Sequence, residues 1–97
     1  MANGQGKATI NFGTGLGANE ASVVVIGQTS IVSTSNLEAY IMASDTTSDH
    51  TASDHQYLGL FAKLTCGSIV TATGFTIYAR SIQKLSGSFI VCWVWSD

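Results

Sequence analysis

Both histidines of this 97-residue chain fall in one polar stretch, Ser44 to Gln56, where Ser48-Asp49-His50 is echoed by Ser53-Asp54-His55. Imidazoles and carboxylates ligate divalent metals, so His50 and His55 with Asp45, Asp49 or Asp54 form the candidate metal set, particularly if symmetry gathers several copies of the loop. Five-residue spacing on a loop is not a ligand pattern, however, and a working site needs a fixed ligand count and supporting contacts. Ser and Asp in such a run serve more simply in Asx and ST turns, bonded to nearby backbone. The same residue types raise a Ser-His-Asp triad. A triad is defined by an oriented nucleophile, base and acid at an oxyanion hole, not by closeness in sequence. Glu20 and Glu38 show no pairing of the kind a glycosidase uses. The chain is expected to be a non-enzyme with no metal and no cofactor.

Gly13, Gly15 and Ala18 match G-x-G-x-x-[G/A], the fingerprint of a pyrophosphate site. That motif must open a helix, yet Ser22 to Gly27 is a β-branched run, so the glycines read as a loop between strands. Tyr78 and Arg80 on one strand, with Tyr40 on another, are the residues that would make a shallow sugar-binding surface; the simpler reading is cross-strand pairing. Cys66 and Cys92 lie in apolar runs without a disulfide or zinc framework, and are expected to be buried free thiols with raised pKa.

The elements that position these residues are strands. Val, Ile, Thr, Tyr, Phe and Trp cluster in short runs separated by Gly, Ser, Asn and Asp, and no stretch of ten or more residues shows a helical stripe. The pattern predicts strands at Ala8 to Phe12, Ser22 to Gly27, Leu37 to Ala43, Tyr57 to Cys66, Phe75 to Ile82 and Ser88 to Trp95, with short extra edges at Ser30 to Ser33 and Ile69 to Thr71. Six strands without crossover helices imply an all-β fold, an antiparallel β-sandwich with a barrel as the alternative closure. The length allows one domain, residues 1–97, with residues 1–7 as a flexible N-terminal arm.

Phe75, Ile77 and Ala79 alternate with Thr76, Tyr78 and Arg80, which gives that strand one dry face and one wet face. The last strand differs, since Phe89, Val91, Trp93 and Trp95 line one side and Ile90, Cys92 and Val94 the other. A two-layer sandwich covers a strand once, so a neighbouring copy is expected to supply the second cover. Tyr57, Phe61, Trp93 and Trp95 are the interface candidates, aromatic residues being favoured at interface centres. The competing reading for the tryptophans is that they fill the sandwich core.

Composition points the same way. Charged residues are 10% of the chain against a norm of about 25%, and 45% is hydrophobic. So few charges suggest a surface that lies partly against other protein. With a net charge of −2 and scattered cations, a nucleic-acid phosphate backbone finds no basic stripe. The N-terminal stretch has no apolar signal core, and Phe89 to Trp95 falls far short of the roughly 20 residues that cross a bilayer; neither secretion by that route nor membrane insertion is expected.

The phrases NEASVVVIGQTSI, EAYIMASDTTSDHTASDH, TGFTIYAR and FIVCWVWSD resemble small proteins from tailed-bacteriophage structural gene clusters. That resemblance implies a virion structural protein, assembled in the host cytoplasm, that decorates the capsid or forms part of the tail or a fibre beside other virion proteins. Over the last quarter, TGFTIYARS followed by GSFIVCWVW is similar to the closing strands of H-type lectin domains, six-stranded sandwiches that trimerise and bind sugars. The expectation is thus a homo-oligomer, foremost a trimer, with a receptor-binding module for host-surface glycan as the alternative.

Overall fold

The computed structural model describes residues 3–13, 17–42, 46–47 and 50–96, apart from the side chains of residues 59 and 61. Six strands and one helix follow in the order β1 (Asn3–Asn11), β2 (Ala18–Val25), β3 (Asn36–Tyr40), α1 (Ala52–Phe61), β4 (Ala62–Val70), β5 (Gly74–Leu85) and β6 (Ser88–Ser96). They form two three-stranded antiparallel sheets, sheet A in the order β1-β6-β3 and sheet B in the order β2-β5-β4. The sheets pack face to face as a sandwich, and no closed barrel forms.

The inner face of sheet A is built on unequal partners. β1 pairs with β6 along its whole length, setting Gly4, Gly6, Ala8 and Ile10 opposite Trp95, Trp93, Val91 and Phe89. A side chain at either glycine would strike an indole: a Cβ on Gly6 would lie 2.6 Å from Trp93 Cζ2, and one on Gly4 would overlap Trp95 Nε1. The two rings therefore lie over bare backbone, and the two glycines of β1 admit the two bulkiest side chains of β6. From sheet B, Phe75 meets Trp93 edge-to-face at 5.5 Å between ring centres, a favoured aromatic geometry. Ile77, Val25 and Ala79 complete the core.

Residues 3–7, expected as a flexible arm, are instead the first half of β1, because the alternating glycines of this stretch are the seat of the indoles. Trp93 and Trp95 are only 7% and 2% exposed in the single chain, so they are core residues and not interface anchors. The second face of β6 is also sheltered from within. β6 is the central strand of its sheet, flanked by Lys7 of β1 and Tyr40 of β3 at Cys92, which is buried, while Ile90 and Val94 are half-buried.

The helix was not foreseen. Residues 57–61, read as the start of a strand, belong to α1, and β4 begins at Ala62 with no loop between. A capping box starts the helix: the Thr51 side chain accepts from the Asp54 N–H, and the Asp54 carboxylate accepts from the Thr51 N–H. Among its described side chains His55 and Leu58 are buried, three residues apart on one face. Ser30 to Ser33 form a turn region and no strand, whereas Ile69 is inside β4.

If the glycine floor sets the fit between β1 and β6, Gly6→Ala destabilises the protein by about 1–3 kcal/mol, the range for overpacking a filled core. Urea denaturation of the two proteins measures this, and equal midpoints would count against the packing described.

Candidate binding surface

The two histidines are held by separate hydrogen bonds, and both rings pack on Phe89. His55 is fully buried. Its Nδ1–H donates to the Thr51 carbonyl at 2.9 Å, and its Nε2 accepts from the Ile90 N–H at 2.9 Å. Pairing between β3 and β6 ends at Tyr40 opposite Cys92, so two residues back along β6 the imidazole satisfies a part-buried backbone N–H beyond the end of that pairing. His50 stacks on Phe89 with ring centres 3.9 Å apart. Its Nε2–H donates to the Ser86 carbonyl at 2.7 Å, and its Nδ1 lies 3.1 Å from Asp54 Oδ2.

These contacts speak to the chemistry expected of the loop. His55 spends both nitrogens on backbone groups, so it has no lone pair for a metal without breaking the link to β6. Asp54 is engaged with Thr51 and His50, and Asp49 and Asp45 lie outside the described residues. Among the described residues no three His, Cys, Asp or Glu side chains gather as a metal would require. His50 and Asp54 have the arrangement of the base and acid of a triad, yet the nitrogen that would take a nucleophile's proton faces a carbonyl instead. The hydrogen bond from the Thr51 amide, and then the one from His50, hold the Asp54 carboxyl below its ordinary pKa. Burial, and then the charge of Glu38, push the half-buried Cys66 thiol up, which makes it a poor nucleophile; neither it nor buried Cys92 is in a disulfide.

An open depression lies elsewhere, on the outer face of sheet B. It measures about 1010 Å³ and is floored by β5 and flanked by β2, β4 and the end of α1. Cross-strand register sets Arg80 between Glu20 and Lys63, and Tyr78 between Ser22 and Thr65. Arg80 Nη2 pairs with Glu20 Oε1, an exposed ion pair of small energetic worth. The Tyr78 hydroxyl shares a 2.6 Å hydrogen bond with Ser68 Oγ, where β4 bulges with Ser68 at φ 53°. Leu60 and Ile82, 78% and 79% exposed, stand in the lining of the depression.

Tyr78 and Arg80 are thus on one surface as expected, but Tyr40 is not with them. It projects from the outer face of sheet A, on the opposite side of the sandwich, so one sugar cannot reach all three. Tyr57 is exposed on α1, and the side chain of Phe61 lies outside the described residues. Lys63, Glu20, Leu60 and Ile82 were missed by the sequence reading. Their signal was available in β5, where Tyr78 and Arg80 on the wet face are followed two residues later by an aliphatic Ile82 that alternation alone would make polar.

No family model, no curated protein and no solved structure matches this chain.

Two outcomes are expected of the α1 contacts. His55→Ala leaves the part-buried Ile90 N–H without its acceptor, a loss of about 1–3 kcal/mol, readable as a lower denaturation midpoint; an unchanged midpoint would show that the link to β6 is not needed. Because the folded pKa of Asp54 is lowered, its contribution is complete above the ordinary carboxylate pKa of about 4 and fades as pH falls through the lower folded value. Amide exchange in the first turn of α1 therefore speeds up in acid relative to the sheets, and Asp54→Asn removes that difference; a first turn indifferent to acid in the parent protein would contradict the capping role.

Proposed function

We propose that this chain is a non-enzymatic building block of a symmetric protein assembly, a homo-oligomer with a trimer foremost, and that the assembly is a tailed-phage particle in which it decorates the capsid or completes the tail. The observation that carries the reading is the apolar exterior. Val24, Ile26, Leu60, Val70 and Ile82 are each more than half exposed, in a chain with 10% charged residues. Single exposed apolar residues are ordinary, but several on one small domain with so few charges around them mark surface that water is not meant to keep.

The core already contains the chain's tryptophans, so subunit contacts must be built from the aliphatic exterior and from strand edges. The phage setting rests on the resemblance of the sequence phrases and on the fit of a compact sandwich to such a role. No helix among the described residues is long and apolar enough to cross a membrane.

A second reading, recognition of a host-surface glycan, is favoured by one observation, the open depression that holds Tyr78 and Arg80. Loss of Tyr40 from that surface leaves it one aromatic face.

Sedimentation of the purified chain over a concentration series is the test, followed by its incubation with phage particles lacking it. A discrete oligomer that then binds particles stoichiometrically is the expected result. A chain that stays monomeric throughout and leaves particles bare overturns the proposal, and in that case selective binding on a glycan array establishes the second reading.

A further inference from the structure

Two charges of opposite sign on opposite outer faces have no counter-ion among the described residues. Among the described residues Glu38 makes no ion pair and neither does Lys63, whereas Arg80 next to Lys63 is matched to Glu20. Each of the two charges stands among exposed apolar side chains. Glu38 alternates with Leu37 and Ala39, which pack on the core, so it is on the outer face of sheet A with Tyr40; Met42, two residues on, is exposed as well. Lys63 lies in the depression of sheet B together with Leu60 and Ile82.

We infer that this depression receives the β3 face of a second copy of the chain, with Glu38 of one copy paired to Lys63 of the next and with Tyr40 and Met42 packed against Leu60 and Ile82. The inference rests on the assembly reading above and names the surfaces that carry it. Each half combines exposed apolar side chains with one charge that has no ion-pair partner among the described residues, and these two charges, Glu38 and Lys63, are opposite in sign, which favours this register over like pairings. Docking the depression on itself across a two-fold axis would set Lys63 towards Lys63 and leave two concave surfaces facing across a void. Interface cores are packed as tightly as protein interiors, so that arrangement is disfavoured.

The two surfaces are different, and they are on opposite sides of the sandwich. Each subunit therefore offers one of each, and copies join head to tail. Such a contact closes into a ring if the rotation per step divides a full turn, and grows into a filament if it does not. A trimer is one of the closed solutions.

The full-length chain, Lys63→Glu, Glu38→Lys and the double variant, compared by sedimentation velocity over a dilution series, test the inference. Glu38 and Lys63 are exposed side chains, and thermal melts of the four proteins verify that the fold is kept. Each single reversal is expected to weaken self-association at least about tenfold, and the double reversal to restore most of the loss. Leu60→Ser, which leaves the charges alone, weakens association by a similar factor. If the parent chain assembles and the single variants and Leu60→Ser assemble as tightly, this interface is wrong while the assembly reading stands. A parent chain that remains monomeric at every concentration removes both.

Discussion

Two indole rings lying on the bare backbone of a neighbouring strand govern the rest of this structure. Gly4 and Gly6 leave room that Trp95 and Trp93 occupy, and a methyl group at either position would collide with a ring. Tryptophan removes more apolar area from water than any other residue, and a domain of this size has few other means of building a core. The arrangement is asymmetric in its polar atoms. Trp95 Nε1 donates to Gln28 Oε1 at 2.9 Å, whereas buried Trp93 Nε1 has no hydrogen-bond partner among the described residues.

Most of the architecture was legible in the sequence. Alternation in β5 and β6 and the lack of crossover helices give the antiparallel sandwich, and every expected strand has a counterpart except the first half of Tyr57 to Cys66 and the short edge at Ser30 to Ser33. Two segments were misread for definite physical reasons. The N-terminal residues looked like an arm because glycine is a poor strand former, yet in β1 their smallness is what the neighbouring tryptophans require. Helix α1 was hidden because Leu58, Leu60, Ala62 and Leu64 imitate strand alternation, while polar Ser53, Asp54, His55 and Gln56 fill its first turns and leave no apolar period there. The pattern Thr51-Ala52-Ser53-Asp54, a capping box, was the local sign of the helix.

The candidate site was legible only in part. Tyr78 and Arg80 were assigned to an outward face, and that face carries the depression. Tyr40 was grouped with them because alternation tells which residues share a face of one strand, not which sheet the strand joins. The histidines drew notice as chemistry and turn out to be joinery: His55 supplies an acceptor to the Ile90 N–H beyond the end of the β3 pairing, and His50 ties the preceding loop to the turn between β5 and β6. Partner contacts were expected at the aromatic strand. Since the chain buries those rings itself, the surfaces proposed for association are the aliphatic rim of sheet B and the β3 side of sheet A.

The tryptophans hold one chain together, and in the proposed assembly aliphatic residues outside them join one chain to the next. Tryptophan emission, followed while the assembled protein is diluted until it dissociates into single chains, tests that separation of roles directly. Blue-shifted emission, typical of indoles shielded from water, is expected to stay unchanged as the subunits part, because Trp93 and Trp95 are covered by their own chain. A red shift on dissociation would mean that a neighbouring copy had been covering them, and would contradict that separation.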